Sequence, residues 1–344
     1  MTIFINARFL TQMITGVQRY ALECSRQIKQ MYPDTILVAP KNIVHQDLAN
    51  ELGVITIGNN TGHLWEQLDL PLYLKKQKSS VLLNLANTAP LFYKNNYITI
   101  HDLAFHFHPE WNSRSFSTWY NFLIPRIARR AKHIFTVSGT IKDEIANNIH
   151  INTNAISVTY NGLSKAILST TPTEIKEKII LAVGSFNTRK NHNKLIQAFI
   201  LSNISKTHTL VIVGDKHEVF KKMELDDAAI KQNNIQIMER LSESELIHLY
   251  QRSEIVVSLS SYEGFGIPVL EGLYFNSKVL CADIPVYREL FDNYVYFCDI
   301  KSIDDISYSL QKIAYKPSLA HGIEELLKKY NYTNSAKIIL NKIL

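Results

Sequence analysis

The stretch Ser261-Tyr-Glu-Gly-Phe-Gly-Ile-Pro-Val-Leu-Glu271 places two carboxylates, Glu263 and Glu271, eight residues apart across a glycine turn. The apolar run before it, residues 253–260, predicts a short buried strand, and Pro268 with the apolar residues that follow predicts the start of a helix. Glycines let a ligand approach the backbone closely, and a helix N-terminus favours an anion. The segment therefore suits a phosphate or a polyhydroxylated sugar.

The spacing of the two carboxylates predicts a separate contact for each. Glu263 lies in the turn, and Glu271 lies about two helical turns further on. Because eight residues is close to a multiple of 3.6, Glu271 is predicted on the ligand-facing side, where it can accept two vicinal hydroxyls, as acidic residues do with ribose in other nucleotide sites. The alternative is a solvated strand-to-helix loop with two ordinary surface glutamates.

Strand and helix patterns alternate along the whole chain, which predicts parallel sheets covered on both faces. In the first half, strands are predicted at Ile3–Ile5, Thr35–Ala39, Val81–Leu85, Tyr97–His101, Ile134–Val137 and Ile156–Thr159, with helices at Gly16–Met31, Leu64–Lys76, Ser115–Ala131 and Gly139–Asn147. In the second half, strands are predicted at Ile179–Val183, Thr209–Val213, Ile235–Met238, Ile255–Leu259 and Lys278–Cys281, with helices at Lys194–Ser202, His217–Lys231, Glu243–Gln251 and Val269–Phe275.

This pattern predicts an α/β chain of two doubly wound, Rossmann-like domains. The first covers residues 1–163, a linker covers 164–178, and the second covers 179–322. The linker is predicted where Ser-Thr-Thr-Pro-Thr-Glu interrupts the apolar periodicity. Ligands of such sheets bind beyond the carboxyl ends of the strands, so the site is expected in the cleft between the domains. The helical tail, residues 323–344, is left without a strand to cover.

Composition is that of a soluble globular protein long enough for two domains: 344 residues, 46% hydrophobic and 20% charged. Cys24, Cys281 and Cys298 have no C-x-x-C spacing, which argues against a zinc site or a disulfide framework and predicts a reducing compartment. The first residues read as a strand and not as a signal peptide, and the longest apolar runs are too short to cross a bilayer.

A net charge of +6 points to an anionic partner: a nucleoside diphosphate, an anionic lipid surface or nucleic acid. The clearest basic stretch contains Arg126, Arg129, Arg130 and Lys132 on a predicted helix, and both a solvated face and a membrane-docking face fit it. No aromatic-basic motif for nucleic acid is present, so no nucleic-acid partner is expected.

Three common enzyme signatures are missing from the sequence. No G-x-G-x-x-G follows the first strand, and there is neither a Walker loop nor a G-x-S-x-G nucleophile elbow. The sequence therefore gives little support to three hypotheses: a dinucleotide-dependent enzyme, a P-loop enzyme and an α/β-hydrolase.

Several segments, in order, resemble the motifs of the GT-B glycosyltransferases of the GT4 type, which transfer a sugar from a nucleotide-sugar donor with retention. Besides the segment quoted first, they are Thr15-Gly-Val-Gln-Arg-Tyr20, His101-Asp-Leu103 with Pro109-Glu-Trp111, Ala131-Lys-His-Ile-Phe-Thr-Val-Ser138, Tyr160-Asn-Gly162 and Gly184-Ser-Phe-Asn-Thr-Arg-Lys-Asn191. The resemblance runs from residue 6 to about residue 290. It implies that the tail returns to the first domain.

The resemblance also implies a donor site. Lys190 matches the family lysine that neutralises the diphosphate, and Arg189 is a second candidate cation, because Ser185 stands where many family members carry arginine. Base recognition is implied for the backbone at Arg240 and Leu241. Further contacts are expected from residues with these roles: phosphate or sugar binding by backbone N–H groups (Gly16, Gly264, Phe265, Gly266), sugar hydroxyls (Glu263), ribose (Glu271) and the transferring sugar (His101).

On the acceptor side, Asp102, Phe105 and Trp111 are candidates, although an aspartate here can brace the loop and the aromatic residues can belong to the core. The implied reaction is front-face transfer of a hexose or deoxyhexose, mannose-like or rhamnose-like, to a glycan or lipid-linked glycan in cell-surface polysaccharide assembly. It needs no cofactor and no metal, because no Asp-x-Asp triplet is present. The expected location is cytoplasmic, or peripheral on the inner face of the cytoplasmic membrane. The alternatives are an epimerase or phosphorylase on the same architecture, and a non-catalytic nucleotide-sugar binder.

Overall fold

The computed structural model describes residues 1–77, 80–214, 232–239 and 241–344, and the chain divides into two units. Unit 1 contains Met1–Gly162 and Lys329–Leu344, and unit 2 contains Leu163–Lys328. Each unit is built on one parallel sheet, so the predicted fold class is confirmed.

In the part of unit 1 that the structure describes, seven parallel strands follow the order β3-β2-β1-β4-β5-β6-β7. Their bounds are β1 Thr2–Asn6, β2 Ile36–Ala39, β3 Ile55–Thr56, β4 Ser80–Asn84, β5 Asn96–Thr99, β6 His133–Thr136 and β7 Ile156–Val158. The helices are α1 Gly16–Met31, α2 Gln46–Leu52, α3 Gly62–Leu64, a π-helical turn Trp65–Asp69, α4 Leu70–Lys75, α5 Ala104–Phe107, α6 Arg114–Arg130 and α7 Gly139–Ile149.

The described residues of unit 2 form six parallel strands in the order β10-β9-β8-β11-β12-β13. Their bounds are β8 Glu177–Val183, β9 Thr209–Val213, β10 Ile235–Met238, β11 Ser253–Ser258, β12 Lys278–Ala282 and β13 Tyr296–Cys298. The helices that the structure describes are α8 Lys165–Leu168, α9 His192–Leu201, α10 Glu243–Arg252, α11 Ile267–Tyr274, α12 Pro285–Phe291, α13 Ile303–Ile313 and α14 Ile323–Lys329. The predicted helix His217–Lys231 lies outside the described residues.

The core of unit 2 shows why the central strands are so apolar. Ile180 on β8, Ile212 on β9 and Val257 on β11 are buried in one cluster with the apolar face of α9. A strand covered on both faces has no solvent side, so it reads as a continuous apolar run instead of an alternating one. Strands β8 and β11 lie side by side at the centre of this sheet, and their carboxyl ends therefore meet.

The segment predicted as a linker, residues 164–178, is part of unit 2. Ser164 begins α8, since its side chain accepts a hydrogen bond from the Ile167 N–H, and its own hydroxyl donates to Glu243 at 2.8 Å. Lys176 donates to the backbone carbonyls of Gln251, at 2.8 Å, and of Phe275. These contacts attach the segment to the ends of two helices. The segment is therefore an ordered part of unit 2, although its composition predicted a linker.

The C-terminal tail consists of two helices and not one. Asn331 breaks the helical run and caps the last helix, α15 (Tyr332–Ile343), by accepting a hydrogen bond from the Asn334 N–H at 2.8 Å. Helix α15 packs against α1 in unit 1. Gly162 allows this packing, because a Cβ there would lie 2.8 Å from the Cα of Asn331.

Candidate active site

Two loops meet at the carboxyl edge of the unit 2 sheet, one after β8 and one after β11. The Lys190 ammonium donates a hydrogen bond of 2.5 Å to Oε1 of Glu263. Arg189 lies 3.8 Å from Oε2 of the same carboxylate, and its guanidinium donates to the Tyr262 carbonyl at 3.3 Å. The structure thus brings together three predicted site residues from segments 73 residues apart.

Asn191 joins the two loops. Its backbone has a φ of +53°, in the left-handed region, and ends the 3₁₀ turn Thr188–Lys190. Its side-chain amide donates to the Leu259 carbonyl at 2.7 Å and to the Ser261 hydroxyl at 2.8 Å. An asparagine tolerates this backbone conformation, and its amide also reaches the second loop. Sequence reasoning gave Asn191 no role of its own, because the two loops become neighbours only when β8 and β11 pair.

Glu263 is buried, with 11% of its side chain exposed. Burial by itself would raise the pKa of this carboxyl, but the charge of Lys190 and then that of Arg189 outweigh burial and lower the pKa to about 2. The carboxylate is therefore ionised at neutral pH, and the neighbouring cations are held by it.

The glycine turn depends on Gly266. Its φ of +106° is open to glycine, and a Cβ at this position would lie 2.5 Å from a ring carbon of Tyr287. Tyr287 is in turn fixed by a 2.6 Å hydrogen bond between its hydroxyl and that of Ser258 at the end of β11. Residues Glu263–Gly266 are all buried, so the turn folds inward onto the sheet edge. Tyr287 had no role in the sequence interpretation.

The position of Glu271 corrects the spacing argument. Helix α11 begins at Ile267, so only the last five of the residues from Glu263 to Glu271 are helical. The periodicity of 3.6 therefore does not relate the two carboxylates, and Glu271 lies little more than one turn into the helix. Its side chain is nevertheless buried, at 6% exposure, which contradicts the alternative of an ordinary surface glutamate.

A small recess lies beneath Lys190, lined by Ala182, Val183, His192, Leu195 and residues 257–260. His192 contacts the Gly184 carbonyl through Nε2 at 3.2 Å, and burial lowers the pKa of its imidazole to about 4. Gly214 follows β9, and a Cβ there would lie 2.4 Å from the Gly184 oxygen. Both residues shape the turn after β8, and neither was predicted.

Of the other predicted donor-side residues of unit 2, the structure describes the positions of Ser185 and Leu241. Ser185 is exposed beside Gly184, and Leu241 is half-buried just before α10. Arg240 lies outside the described residues. Base recognition at Arg240 and Leu241 therefore stays a prediction.

In unit 1, His101 follows β5 and is buried, at 5% exposure. Its Nε2 lies 2.9 Å from the Leu85 carbonyl, and the Tyr20 ring packs edge-on at 4.8 Å. Burial lowers the pKa of this imidazole, although the Leu85 carbonyl and the charge of Asp102 oppose the effect. Asp102 accepts a hydrogen bond from the Ala104 N–H at 3.0 Å, the loop-bracing contact that the sequence left open.

Phe105 belongs to the core and is not a sugar platform. It is 7% exposed and packs against Tyr120 at 5.7 Å. Trp111 is half-buried and stacks on the His108 ring, with ring centres 3.8 Å apart. Gly16 is exposed at the first position of α1, after its capping residue Thr15.

The predicted basic stretch lies at the end of α6 and just beyond it. Arg126 lies 3.8 Å over the Phe122 ring, and Arg130 lies 5.3 Å from the centre of the Phe92 ring. Arg129 instead donates to the Ile149 carbonyl at 3.3 Å, while Lys132 is exposed. Among the helices of the described residues, none has the length and apolar character needed to span a bilayer.

Comparison with known proteins identifies the architecture. The sequence profile described as "Glycosyltransferase Family 4" matches residues 14–166, and the profile described as "Glycosyl transferases group 1" matches residues 168–331. The chain belongs to the GT4-type GT-B glycosyltransferases. The resemblance drawn from its motifs is therefore confirmed, and the protein is a glycosyltransferase.

Individual relatives agree with this assignment. The O-antigen chain mannosyltransferase RfbU of Salmonella typhimurium is 26% identical, and the match covers 98% of each chain. Anabaena HepE, solved in complex with UDP and glucose, superposes with a TM-score of 0.74 at 13% identity over 99% of this chain and 98% of HepE. The lipopolysaccharide outer core galactosyltransferase WaaB superposes with a TM-score of 0.68 at 14% identity, over 100% of this chain and 99% of WaaB. The two superpositions show a shared fold.

Proposed function

We propose that this glycosyltransferase moves a hexose or deoxyhexose, mannose-like or rhamnose-like, from a nucleotide diphosphate sugar to a glycan or lipid-linked glycan in cell-surface polysaccharide assembly. The observation that carries the proposal is the buried contact of Lys190, Arg189 and Glu263 beside the N-terminus of α11. The full-length similarity to RfbU supports a mannose-like sugar and a surface polysaccharide.

The chemistry follows from where charge develops. When the anomeric bond to the diphosphate breaks, negative charge grows on the leaving oxygen, and Lys190 and Arg189 are the cations placed to stabilise it. The N-terminus of α11 supplies further positive potential through the helix dipole, although Pro268 has no N–H and the Val269 N–H donates to the Gly266 carbonyl at 3.0 Å. Glu263 is ionised and accepts hydrogen bonds from sugar hydroxyls. Glu271 is assigned to the ribose.

We assign retention to front-face attack, in which the acceptor hydroxyl bonds to the anomeric carbon on the side that the diphosphate leaves. The departing phosphate oxygen takes the hydroxyl proton, so no side chain forms a covalent intermediate. His101 then serves the transferring sugar as a neutral imidazole, in line with its lowered pKa. Retention is tested by the anomeric configuration of the product, determined by NMR on the purified glycan; an inverted product would contradict this mechanism.

The test of the donor site is calorimetric binding of GDP, UDP, dTDP and ADP, first without metal and then with Mg²⁺. We expect one nucleotide to bind tightly, without dependence on Mg²⁺, and Lys190→Ala to weaken that binding by about tenfold or more. Lys178→Ala is the matched control, because this lysine is 63% exposed and pairs with Glu254 away from the site. If no nucleotide binds with or without metal, the donor-site assignment fails.

For location, we propose that the enzyme is cytoplasmic and contacts the inner face of the cytoplasmic membrane through α6. Support comes from Phe92 and Phe122, which are 79% and 44% exposed beside Arg130 and Arg126. Aromatic rings with adjacent cations suit an anionic lipid interface. Co-sedimentation with vesicles containing phosphatidylglycerol should fall for a Phe92→Ala/Arg130→Ala variant. Equal sedimentation of both proteins would contradict the contact.

A further inference from the structure

A second buried charged cluster lies at the carboxyl edge of the unit 1 sheet, and the donor chemistry does not use it. Its centre is Glu66, which is 1% exposed in the π-helical turn Trp65–Asp69. Oε1 accepts hydrogen bonds from Asn6 at 2.8 Å and Thr88 at 3.0 Å, and lies 3.2 Å from Nε of Arg8. Burial would raise the pKa of Glu66, but the charge of Arg8 together with the contacts of His63 and Asn6 outweighs burial, and the pKa falls to about 2.

The second carboxylate oxygen of Glu66 connects the buried cluster to a partly exposed histidine. Oε2 of Glu66 lies 3.3 Å from Nδ1 of His63, whose side chain is 35% exposed. In the neutral imidazole, a carboxylate at Nδ1 holds the single proton on that nitrogen, which leaves the lone pair on Nε2. Among the residues that the structure describes, no group hydrogen-bonds to Nε2 of His63. An imidazole oriented in this way offers an acceptor for a hydroxyl group.

Aromatic rings surround this imidazole. The rings of Trp119 and Tyr120 lie edge-on to His63, with ring centres 6.2 Å and 6.0 Å away. Trp119 is 38% exposed, so part of its indole faces solvent next to the imidazole. A partly exposed indole beside a fixed hydrogen-bond acceptor has the two features that a pyranose ring needs: an apolar surface for its C–H face and a partner for a hydroxyl.

The energetics favour a ligand over a purely structural role. A buried ion pair contributes little net stability relative to apolar residues of the same volume. The π-helical turn that carries Glu66 is a rare conformation, and such turns occur frequently at functional sites. Asn6 ends β1 and donates to Asn84, which ends β4, so the cluster occupies the strand ends where ligands of open α/β sheets bind.

We propose that His63 and Trp119 form a binding site for a sugar ring of the acceptor glycan, with Glu66 positioning His63. This assignment rests on the proposed glycosyl transfer for the identity of its ligand. Trp119 stacks on the apolar face of the ring, and Nε2 of His63 accepts a hydrogen bond from a ring hydroxyl. An anionic lipid fits this site less well than a sugar, because its apolar chains carry no hydroxyl to donate to Nε2 of His63.

The site is tested by saturation-transfer NMR with methyl α-mannoside, methyl α-rhamnoside, methyl β-galactoside and methyl β-N-acetylglucosaminide. We expect at least one glycoside to receive saturation from the wild-type protein, and its affinity to fall about fivefold or more in His63→Ala and Trp119→Ala. Trp119→Phe should restore part of the affinity, since it keeps a stacking surface. Leu72→Ala is the matched control, because this nearby exposed side chain, 58% exposed, belongs to α4 and not to the site.

The Glu66→Gln variant tests whether Glu66 positions His63 for glycoside binding or only supports the fold. We expect weaker glycoside binding with unchanged calorimetric affinity for the nucleoside diphosphate that the wild type binds. Glycoside binding that is absent from the wild type, or unchanged in His63→Ala and Trp119→Ala, would overturn the proposal. Binding of glycosides by a protein that binds no nucleotide would support this site and reject the proposed donor function, so the two failures are distinguishable.

Discussion

The contact between Lys190 and Glu263 predicts that the free enzyme inhibits its own nucleotide binding. In the absence of ligand, the ammonium that should neutralise a diphosphate is already paired with a buried carboxylate at 2.5 Å. A nucleoside diphosphate must weaken this pair before it can use the full charge of the lysine. Glu263→Gln keeps the size of the side chain and removes the competing charge, so it should bind free nucleoside diphosphate more tightly than the wild type.

The magnitude follows from the geometry. A hydrogen bond between charged groups contributes about 1.5–3 kcal/mol. Both side chains are nearly buried, at 13% and 11% exposure, so solvent screens the pair little. If the diphosphate recovers only the lower end of this range, affinity rises by about tenfold, since 1.4 kcal/mol corresponds to a factor of ten. Turnover of the sugar donor should fall in the same variant, because a neutral amide is a weaker acceptor for sugar hydroxyls than a carboxylate.

Calorimetry on Glu263→Gln, Lys190→Ala, their double variant and one control variant checks the cause. In a Lys190→Ala background, the Glu263→Gln change should no longer raise affinity, because the two effects act through one contact. Glu254→Gln is the matched control: the Glu254 side chain is equally buried, at 11% exposure, and pairs with Lys278 at 2.9 Å, but it lies near the start of β11, at the opposite edge of the sheet. An affinity in folded Glu263→Gln that equals or falls below that of the wild type would refute the competition.

Three further outcomes follow from the same site. The pKa of Glu263 is lowered from 4.5 to about 2, so the stabilisation from this group is complete above pH 4.5 and is lost as the pH falls through 2. Urea unfolding should show that the free energy of unfolding loses about 3 kcal/mol from this group at the acid end. The Glu263→Gln variant should not show this loss. Gly266→Ala should destabilise the protein by about 1–3 kcal/mol from backbone strain, with a further loss from the clash with Tyr287. Gly322→Ala, at a φ of +76° with no atom within 4 Å, should lack that further loss in the same thermal unfolding assay. Glu271→Gln should weaken calorimetric binding of nucleoside diphosphate by about tenfold or more, through the ribose hydroxyls, and unchanged affinity would contradict that role.

The sequence predicted well what depends on local pattern. The apolar runs of β8 and β11 and the helices after them are set by periodicity, and both runs were recognised as buried strands. Two short strands, β3 with two residues and β13 with three, were not predicted because so few residues carry little periodicity, although the three-residue β7 was predicted within Ile156–Thr159. Helix α13 was not predicted, although Ser302 precedes it as a capping residue, because no strand pattern follows the helix.

The site residues that were missed share a different cause. Gly214, Tyr287 and Asn191 act through contacts with segments that are distant in sequence, such as the Gly184 carbonyl and the Leu259 carbonyl. Such roles depend on which strands become neighbours, and strand order cannot be derived from the alternation of elements. The same limit explains Glu66, whose partners Asn6 and Thr88 are 60 and 22 residues away.

The placement of two buried carboxylates, Glu66 and Glu263, argues that binding, and not folding, accounts for the buried charge at these two positions. Glu66 in unit 1 and Glu263 in unit 2 are both nearly inaccessible, and in both a neighbouring cation lowers the pKa to about 2. Each lies beyond the carboxyl ends of parallel strands, where backbone groups are free to meet a ligand. Apolar residues of similar volume would serve stability as well. A buried charge that is already paired is useful at such an edge, because a ligand can take over one of the two partners. In unit 2 the proposed ligand is the diphosphate, which would compete with Glu263 for Lys190.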